Sequence, residues 1–266
     1  MALQRMSYAE YDLVTGVRWS RLKSMRTSAL HYFSYEETPS TPSQDLGTAV
    51  HYAVFEPEIF DAECLTSDLN RNTNEFKAWR AANAGKLILK TAQRDEALRI
   101  GEAVRAFDPA AEILAAGQAE QALTWTDPRT GISRKARPDW VTPPDVAILA
   151  DLKTAADISD NMFGRAAGRY CYHGQLVDYV NGLEVETGVR YQPTIIAVEN
   201  HKPFDVRVAD ITGEELDAAE NLVQDALDRL AECIATDSWP GQFPERGKLN
   251  MPYWELHDED NELETP

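Results

Sequence analysis

The chain has 266 residues, of which 43% are hydrophobic and 26% are charged, and its formal net charge at pH 7 is −18. This composition excludes wholesale disorder, and no run of about 20 apolar residues is present that could span a bilayer. The strong acidity argues against nonspecific coating of nucleic acid, which needs a broad basic surface.

Helical patterns dominate the first 117 residues. Apolar spacing predicts a short helix over 20–33 and a second helix, capped by Asp45, that carries His51 near its middle. A further helix of about ten residues and a longer amphipathic helix capped by Thr91 follow. We therefore expect a helical N-terminal region.

The periodicity changes to an alternating pattern at Gln118. Segments separated by a D-P-R-T-G turn and a T-P-P turn predict three consecutive antiparallel strands, the last of them reading V-A-I-L-A-D-L-K. The remaining pattern predicts helices at about 159–170 and 173–187, strands at 190–199 and 203–211, and a final helix that follows Gly213 and ends at about Ala235.

Two acids and a lysine near the ends of the predicted strands could carry chemistry. Asp151 and Lys153 are two residues apart on one strand and face the same side, whereas Leu152 faces the core. Asp139 lies on the preceding strand across the T-P-P turn, where antiparallel pairing can bring its carboxylate near that of Asp151. Because adjacent carboxylates repel each other, a cation between them would stabilise the pair.

Hard oxygen ligands suit Mg²⁺ or Mn²⁺, which can lower the pKa of a water molecule and neutralise charge on a leaving phosphate oxygen. Lys153 would orient or activate that water. Taken alone, however, the D-x-K pattern also fits a surface ion pair at a strand end, with Asp139 as an ordinary turn acid. These three residues by themselves leave both interpretations open.

The surrounding motifs favour the cation site. The segments L-G-T-A-V-H, A-E-Q-A-L-T-W, R-P-D-W, A-D-L-K-T-A-A-D and Y-H-G-Q-L-V-D-Y occur in this order, with N-R-N-T near residue 70 and T-D-S-W-P near residue 238. Together they resemble the PD-(D/E)XK nuclease superfamily and, more closely, the RecE type of phage recombination exonuclease. The resemblance implies an α/β fold with a restriction-endonuclease-like core, in which helices flank a mixed central sheet.

The resemblance implies site roles for eight residues: His51, Glu120, Asp139, Asp151, Leu152, Lys153, Gln175 and Tyr179. The implied metal ligands are the side chains of His51, Asp139 and Asp151 and the backbone carbonyl of Leu152. Lys153 would be the catalytic lysine, and Glu120 a second ligand or an acid just outside the ligand shell. Gln175 and Tyr179 are four apart, hence on one helical face, and match a Q-x-x-x-Y element associated with DNA contact.

The implied activity is that of a Mg²⁺-dependent deoxyribonuclease, with Mn²⁺ able to substitute. It would be an exonuclease that hydrolyses linear double-stranded DNA, in the 5′-to-3′ direction, during phage-type homologous recombination. Its implied partners are double-stranded DNA ends, a RecT-like single-strand-annealing protein and further copies of itself in a ring-shaped tetramer, with no membrane involved.

Two other interpretations remain open. The chain could be another PD-(D/E)XK nuclease, such as an endonuclease or a Cas4-like exonuclease, or an inactive DNA-binding or scaffold protein on the same fold. A Cas4-like protein holds its cluster with four cysteines, whereas Cys64, Cys171 and Cys233 are scattered and are expected to be buried free thiols. Clustered carboxylates would repel DNA in a protein that only binds it.

We expect a single domain over 1–254, with a helical part over about 1–117, a nuclease core over about 118–236 and an acidic tail over 255–266. The N-terminus lacks the apolar core of a signal peptide, so a cytoplasmic location is expected. Four basic residues are candidates for phosphate contact, although a solvated strand face explains them equally well: Arg71, Arg134, Lys135 and Arg137.

Overall fold

The structure is a computed structural model that describes residues 3–6 and 8–251, and within them it contains eleven α-helices and ten β-strands. The strands are β1 (Gln4–Arg5), β2 (Cys64–Thr66), β3 (Leu87–Leu89), β4 (Gln118–Ala119), β5 (Gln121–Thr126), β6 (Ser133–Ala136), β7 (Trp140–Val141), β8 (Ile148–Ala155), β9 (Gln192–Glu199) and β10 (Val206–Asp210). The helices are α1 (Tyr8–Leu13), α2 (Trp19–Leu22), α3 (Ala29–Phe33), α4 (Pro42–Phe55), α5 (Phe60–Glu63), α6 (Asn74–Ala82), α7 (Thr91–Ala106), α8 (Asp108–Leu114), α9 (Asp160–Tyr170), α10 (Tyr172–Thr187) and α11 (Gly213–Thr236).

The central sheet has five strands in the order β10-β9-β8-β7-β4 and is mixed, because β8 and β9 run parallel while their other neighbours are antiparallel. Parallel pairing needs a crossover connection, which α9 and α10 provide. A second sheet has the order β1-β5-β6, and β2 pairs with β3. The predicted α/β fold, with helices flanking a mixed central sheet, is confirmed.

Strand β8 is buried on both faces. On one face Leu152 packs with Val50 of α4 and Ile100 of α7, and on the other Leu149 packs with Leu176 of α10. A strand covered on both faces reads as a nearly continuous apolar run, which explains the sequence of β8 apart from its two charged residues. The N-terminal helices thus share a hydrophobic core with the sheet.

The prediction of three consecutive antiparallel strands between residues 118 and 153 is right about the antiparallel pairs and wrong about the number of strands and their common sheet. Two strands, β4 and β7, join the central sheet beside β8, whereas β5 and β6 pair with each other in the second sheet. Glu120 lies between β4 and β5, and its backbone adopts the left-handed conformation with φ 53°. This conformation turns the chain from the central sheet into the second sheet. Pro138, between β6 and β7, has no N–H to donate to a ladder.

The predicted helix over 20–33 is broken. A 3₁₀ turn follows α2, and Ser28 then adopts an extended conformation, accepts a hydrogen bond from the backbone N–H of His31 and so caps α3. The predicted cap Asp45 lies inside α4, because Thr41 and Gln44 form a reciprocal capping box one turn earlier. Likewise Thr91 is the first residue of α7 and not its cap.

The acidic tail over 255–266 and the end of the proposed domain at residue 254 lie outside the described residues. In the part of the chain that the structure describes, no helix has both the length and the apolarity needed to cross a membrane. The three cysteines are buried free thiols, as expected.

The contact between α10 and β5 leads to a stability prediction. A Cβ at Gly182 would lie 2.7 Å from the ring of Trp125 and 2.9 Å from the side chain of Leu123, whereas a Cβ at Gly164 of α9 would meet no atom within 4 Å. Gly182→Ala should therefore lower the free energy of unfolding by about 1–3 kcal/mol through overpacking. The matched control, Gly164→Ala, should raise it by about 0.5–1 kcal/mol, because alanine is the better helix former. Urea denaturation measures both, and equal effects of the two substitutions would contradict the close packing of α10 against β5.

Candidate active site

The site forms where the pairing between β7 and β8 ends. Strand β7 pairs with β8 at Leu149 and Ala150. At Leu152 the Asp139 carboxylate takes the place of a partner strand, because its Oδ2 accepts a hydrogen bond from the Leu152 N–H at 2.8 Å. The carbonyl oxygen of Leu152 lies 3.2 Å from Nε2 of His51. The backbone of Leu152 thus contacts the side chains of two residues that are far apart in the sequence.

Three side chains converge at this edge. His51, Glu120 and Asp139 each bring one potential ligand atom within 4.8 Å of the others. Helix α4 supplies His51, whose Nδ1 lies 3.4 Å from Oδ2 of Asp139. Glu120 comes from the turn between β4 and β5, and its carboxylate accepts a hydrogen bond from Nε of Arg137. The convergence that the sequence predicted for these three residues is present.

The donor set fits a divalent cation. Two carboxylates, an imidazole nitrogen and a nearby backbone carbonyl are ligand types that Mg²⁺ and Mn²⁺ accept in proteins. Burial makes two neighbouring carboxylates costly unless positive charge lies between them. The residues present could therefore hold one cation beside the edge of β8.

Burial and mutual charge shift the pKa values in this cluster. Burial of His51 favours the neutral ring, but the charge and hydrogen bond of Asp139 outweigh it and raise the pKa of His51 to about 9. Burial and the nearby Asp139 charge raise the pKa of Glu120 to about 7, although Arg137 opposes the shift. Burial also opposes ionisation of Asp139, yet the charge of His51 holds its pKa below the usual value. At neutral pH, the protonated ring of His51 thus balances the Asp139 carboxylate when no cation is bound.

A second group of side chains lies between β8 and α10. The Lys153 ammonium is 2.5 Å from Oδ2 of Asp151 and 4.9 Å from the centre of the Tyr172 ring. Nε2 of Gln175 donates to Oδ1 of Asp151 at 3.1 Å and to the Tyr179 hydroxyl at 3.3 Å, while its Oε1 accepts from Lys153 at 3.4 Å. Gln175 therefore holds the acid and the lysine in fixed positions.

Asp151 is almost fully buried, and it lies outside the group formed by His51, Glu120 and Asp139. Its burial raises its pKa to about 6, even though the Lys153 charge opposes the rise. Within the described residues, Oδ2 of Asp151 makes an ion pair with Lys153 but has no aligned hydrogen bond. That oxygen retains a free lone pair, and the ligand role of Asp151 stays a prediction.

Two basic residues proposed to contact phosphate are instead part of the interior. Arg134 is fully buried and pairs with Asp178 of α10 at 2.5 Å. The Lys135 ammonium donates to three backbone carbonyls of the N-terminal segment, the nearest 2.7 Å away at Val14. Phosphate contact and a solvated strand face, the two explanations left open for these residues, are therefore both wrong, because β6 is covered on one side by α10 and on the other by the N-terminal segment.

Two residues that contact the predicted site residues were not predicted from the sequence to do so. Arg137, considered only for phosphate contact, binds Glu120, and Tyr172 lies against Lys153. Arg137 immediately precedes the P-D pair, so its position beside Asp139 was a usable signal. Tyr172 precedes Gln175 by three residues, the spacing of one helical face.

Comparison with known proteins gives a family and a fold. Residues 19–248 match the family of the PDDEXK-like domain of unknown function (DUF3799). The solved structure of a candidate exonuclease from Eubacterium rectale covers 97% of this chain and 100% of its own, with 15% identity and a TM-score of 0.63. The alignment with the solved structure of a phage-related exonuclease from Haemophilus somnus 129PT covers 86% of this chain and 100% of the other, with 13% identity. Its TM-score of 0.37 is too low to support an argument. No curated protein gave a significant match.

The pKa values predict how cation binding depends on pH. Glu120, with a pKa of about 7, is mostly protonated below that pH and ionised above it, and His51 must lose a proton to become a ligand. Mn²⁺ should therefore bind more tightly as the pH rises from about 6 to about 8, with release of protons. Glu120→Gln should weaken binding at the higher pH by roughly 10- to 100-fold and leave the rise due to His51, whose pKa of about 9 keeps a proton in competition with the cation across the whole range.

Calorimetry in buffers of different ionisation enthalpy measures both the affinity and the released protons. Glu112→Gln, at an exposed position of α8, is the matched control and should behave like the parent. If Glu120→Gln keeps the parental affinity and pH profile, Glu120 has no part in cation binding.

Proposed function

The chain belongs to the family of PDDEXK-like domains (DUF3799), and thus to the PD-(D/E)XK nuclease superfamily, and on this premise we propose that it is a metal-dependent exonuclease of linear double-stranded DNA. The proposal rests on two clusters of charged side chains that lie next to each other at the edge of β8. His51, Glu120 and Asp139 converge on one side of Leu152, and the Asp151–Lys153 pair flanks the same residue. Such a cluster is costly to bury, which favours a catalytic role over a purely structural one.

The proposed metal ligands are Asp139, Glu120, His51 and the Leu152 carbonyl, with Asp151 as a further ligand from the neighbouring position on β8. When bound, the cation would stabilise charge on the phosphate and lower the pKa of a water molecule. The described contacts support this assignment, because Asp139 is already fixed by the Leu152 N–H and Glu120 by Arg137. Mg²⁺ is the proposed physiological ion, and Mn²⁺ the proposed substitute.

Lys153 is proposed to position the attacking water or a phosphate oxygen. Burial favours its neutral form, but the Asp151 charge outweighs this effect and raises the pKa of Lys153 above its usual value. The side chain is therefore a cation at neutral pH, so it donates hydrogen bonds and cannot act as a general base. Gln175 and Tyr179 are proposed to contact DNA, and their hydrogen bonds would also orient Asp151 and Lys153.

The proposed direction, assembly and partners rest on the RecE-like order of the motifs. That order supports 5′-to-3′ degradation of one strand during phage-type recombination. It also supports a ring-shaped homotetramer that passes its product to a RecT-like single-strand-annealing protein. The similarity in fold to the Eubacterium rectale structure is compatible with these roles and does not select among nuclease types.

Comparing linear with closed circular DNA tests the exonuclease proposal. In the presence of Mg²⁺ the protein should degrade end-labelled linear duplex, leave the covalently closed circle intact and lose activity in EDTA. An exonuclease needs an end to begin, whereas an endonuclease does not. Circles cut as fast as linear molecules would show that the protein is an endonuclease.

Lys153→Gln tests the proposed mechanism. The amide can still donate a hydrogen bond to Asp151, so the buried carboxylate keeps a partner, but the positive charge is lost. The rate of hydrolysis should fall by roughly 10²- to 10³-fold, the loss expected for one positioned electrostatic donor, while Mn²⁺ binding persists. Lys202→Gln, at an exposed position, is the matched control. Full hydrolysis by Lys153→Gln, measured on end-labelled duplex, would remove Lys153 from the mechanism.

A further inference from the structure

A cleft of about 530 Å³ lies outside the active site, between α6, β3 and the start of α4. Four cationic side chains line it: Arg71, Lys77, Arg80 and Lys86. All four residues are exposed, and Asp45 is the one acidic residue in the described lining. We refer to this feature as the basic cleft.

The charge of the basic cleft is opposite to that of the whole chain. Residues 71–90 contain five basic residues and one acidic residue, in a chain whose net charge is −18. Among the described residues, Lys86 pairs with Glu63 at 2.9 Å, whereas no ion-pair partner is found for Arg71, Lys77 or Arg80. Like charges gathered in a concave surface raise the local positive potential, and this favours a polyanionic ligand.

The geometry suits an extended chain of phosphates. Lys77 and Arg80 are three residues apart on α6 and share one face, while Arg71 precedes the helix and lines the same cleft. Guanidinium and ammonium groups bind phosphate oxygens without requiring a base sequence or an apolar surface. A nucleic-acid backbone therefore fits the cleft better than a folded protein partner, which would need a larger apolar contact.

Helix α4 connects the basic cleft to the active site. Asp45 lines the cleft, and His51 lies six residues further along, an axial distance of about 9 Å. Between them, a Cβ at Gly47 would be 3.7 Å from Oγ1 of Thr154, so this part of α4 runs along the end of β8.

We propose that the basic cleft binds the phosphate backbone of the DNA substrate away from the scissile bond, on the side of the active site where α4 begins. This inference rests on the proposed nuclease function. The cleft would hold the DNA while the acidic remainder of the protein repels contacts elsewhere. It would determine affinity for long substrates and leave the chemical step unchanged.

The test compares two triple variants with equal changes in net charge. The first removes three cations of the cleft, by Arg71→Gln, Lys77→Gln and Arg80→Gln. The matched control removes three exposed cations outside it, by Arg99→Gln, Arg129→Gln and Lys202→Gln. All six positions are exposed, so both proteins should fold, and thermal melting verifies this.

Binding is measured in EDTA, so that no DNA is hydrolysed. At about 100 mM salt the cleft variant should bind a duplex of about 40 bp at least about tenfold more weakly than the parent. The slope of log K against log salt concentration should also become shallower by about two to three, since each lost phosphate contact removes about 0.9. The control should match the parent in slope. An unchanged affinity and slope in the cleft variant would overturn the proposal.

Kinetics separate this proposal from the proposed nuclease activity. With Mg²⁺, the cleft variant should show a raised KM for the long duplex and an unchanged kcat. Its rate on the p-nitrophenyl ester of thymidine 5′-phosphate, which is too short to reach the cleft, should equal that of the parent. If the parent hydrolyses DNA but the cleft variant binds as tightly, the cleft proposal alone fails. If the parent hydrolyses nothing but the cleft variant binds DNA more weakly, the nuclease proposal alone fails.

Discussion

The edge of β8 at Leu152, which has no partner strand on the β7 side, is the constraint on which the candidate site depends. Neighbouring strands normally satisfy the N–H and C=O groups along such an edge. Here the antiparallel neighbour ends after two residue pairs, and the Asp139 carboxylate and the His51 ring reach the backbone of Leu152 instead. Asp139 immediately precedes β7 of the central sheet and His51 lies on α4, which packs on that sheet, so the site and the hydrophobic core form together.

The same arrangement brings opposite charges together in a small volume. Three carboxylates, those of Glu120, Asp139 and Asp151, are balanced by His51, Lys153 and the guanidinium next to Glu120. A buried group of this kind contributes little net stability, because desolvation offsets much of the attraction between the charges. Its presence is better explained by chemistry than by folding, and the shifted pKa values of Glu120 and Asp151 accord with that view.

Much of the fold and of the site could be predicted from local patterns. The apolar run ending in Asp151 and Lys153, and the helix carrying His51, were predicted because their spacing is a local property. The split into two sheets was not predicted, since strand pairing is nonlocal and depends here on the positive φ of Glu120. The burial of Arg134 was also missed, because β6 alone does not show that α10 covers it. Of the residues that line the basic cleft, Arg71 was considered for phosphate contact, but the cleft itself was not predicted because three separate elements line it.

The nitrogen ligand offered by His51 has a consequence for metal selectivity. A purely oxygen-lined site favours Mg²⁺, whereas imidazole increases the relative affinity for transition ions, in the order Mn²⁺ below Fe²⁺, Co²⁺ and Ni²⁺, with Zn²⁺ also high. A site formed by His51, Glu120 and Asp139 would thus discriminate poorly against Zn²⁺ by affinity. The occupying ion would then be set by the free concentrations in the cell, and excess zinc would compete for the same ligands.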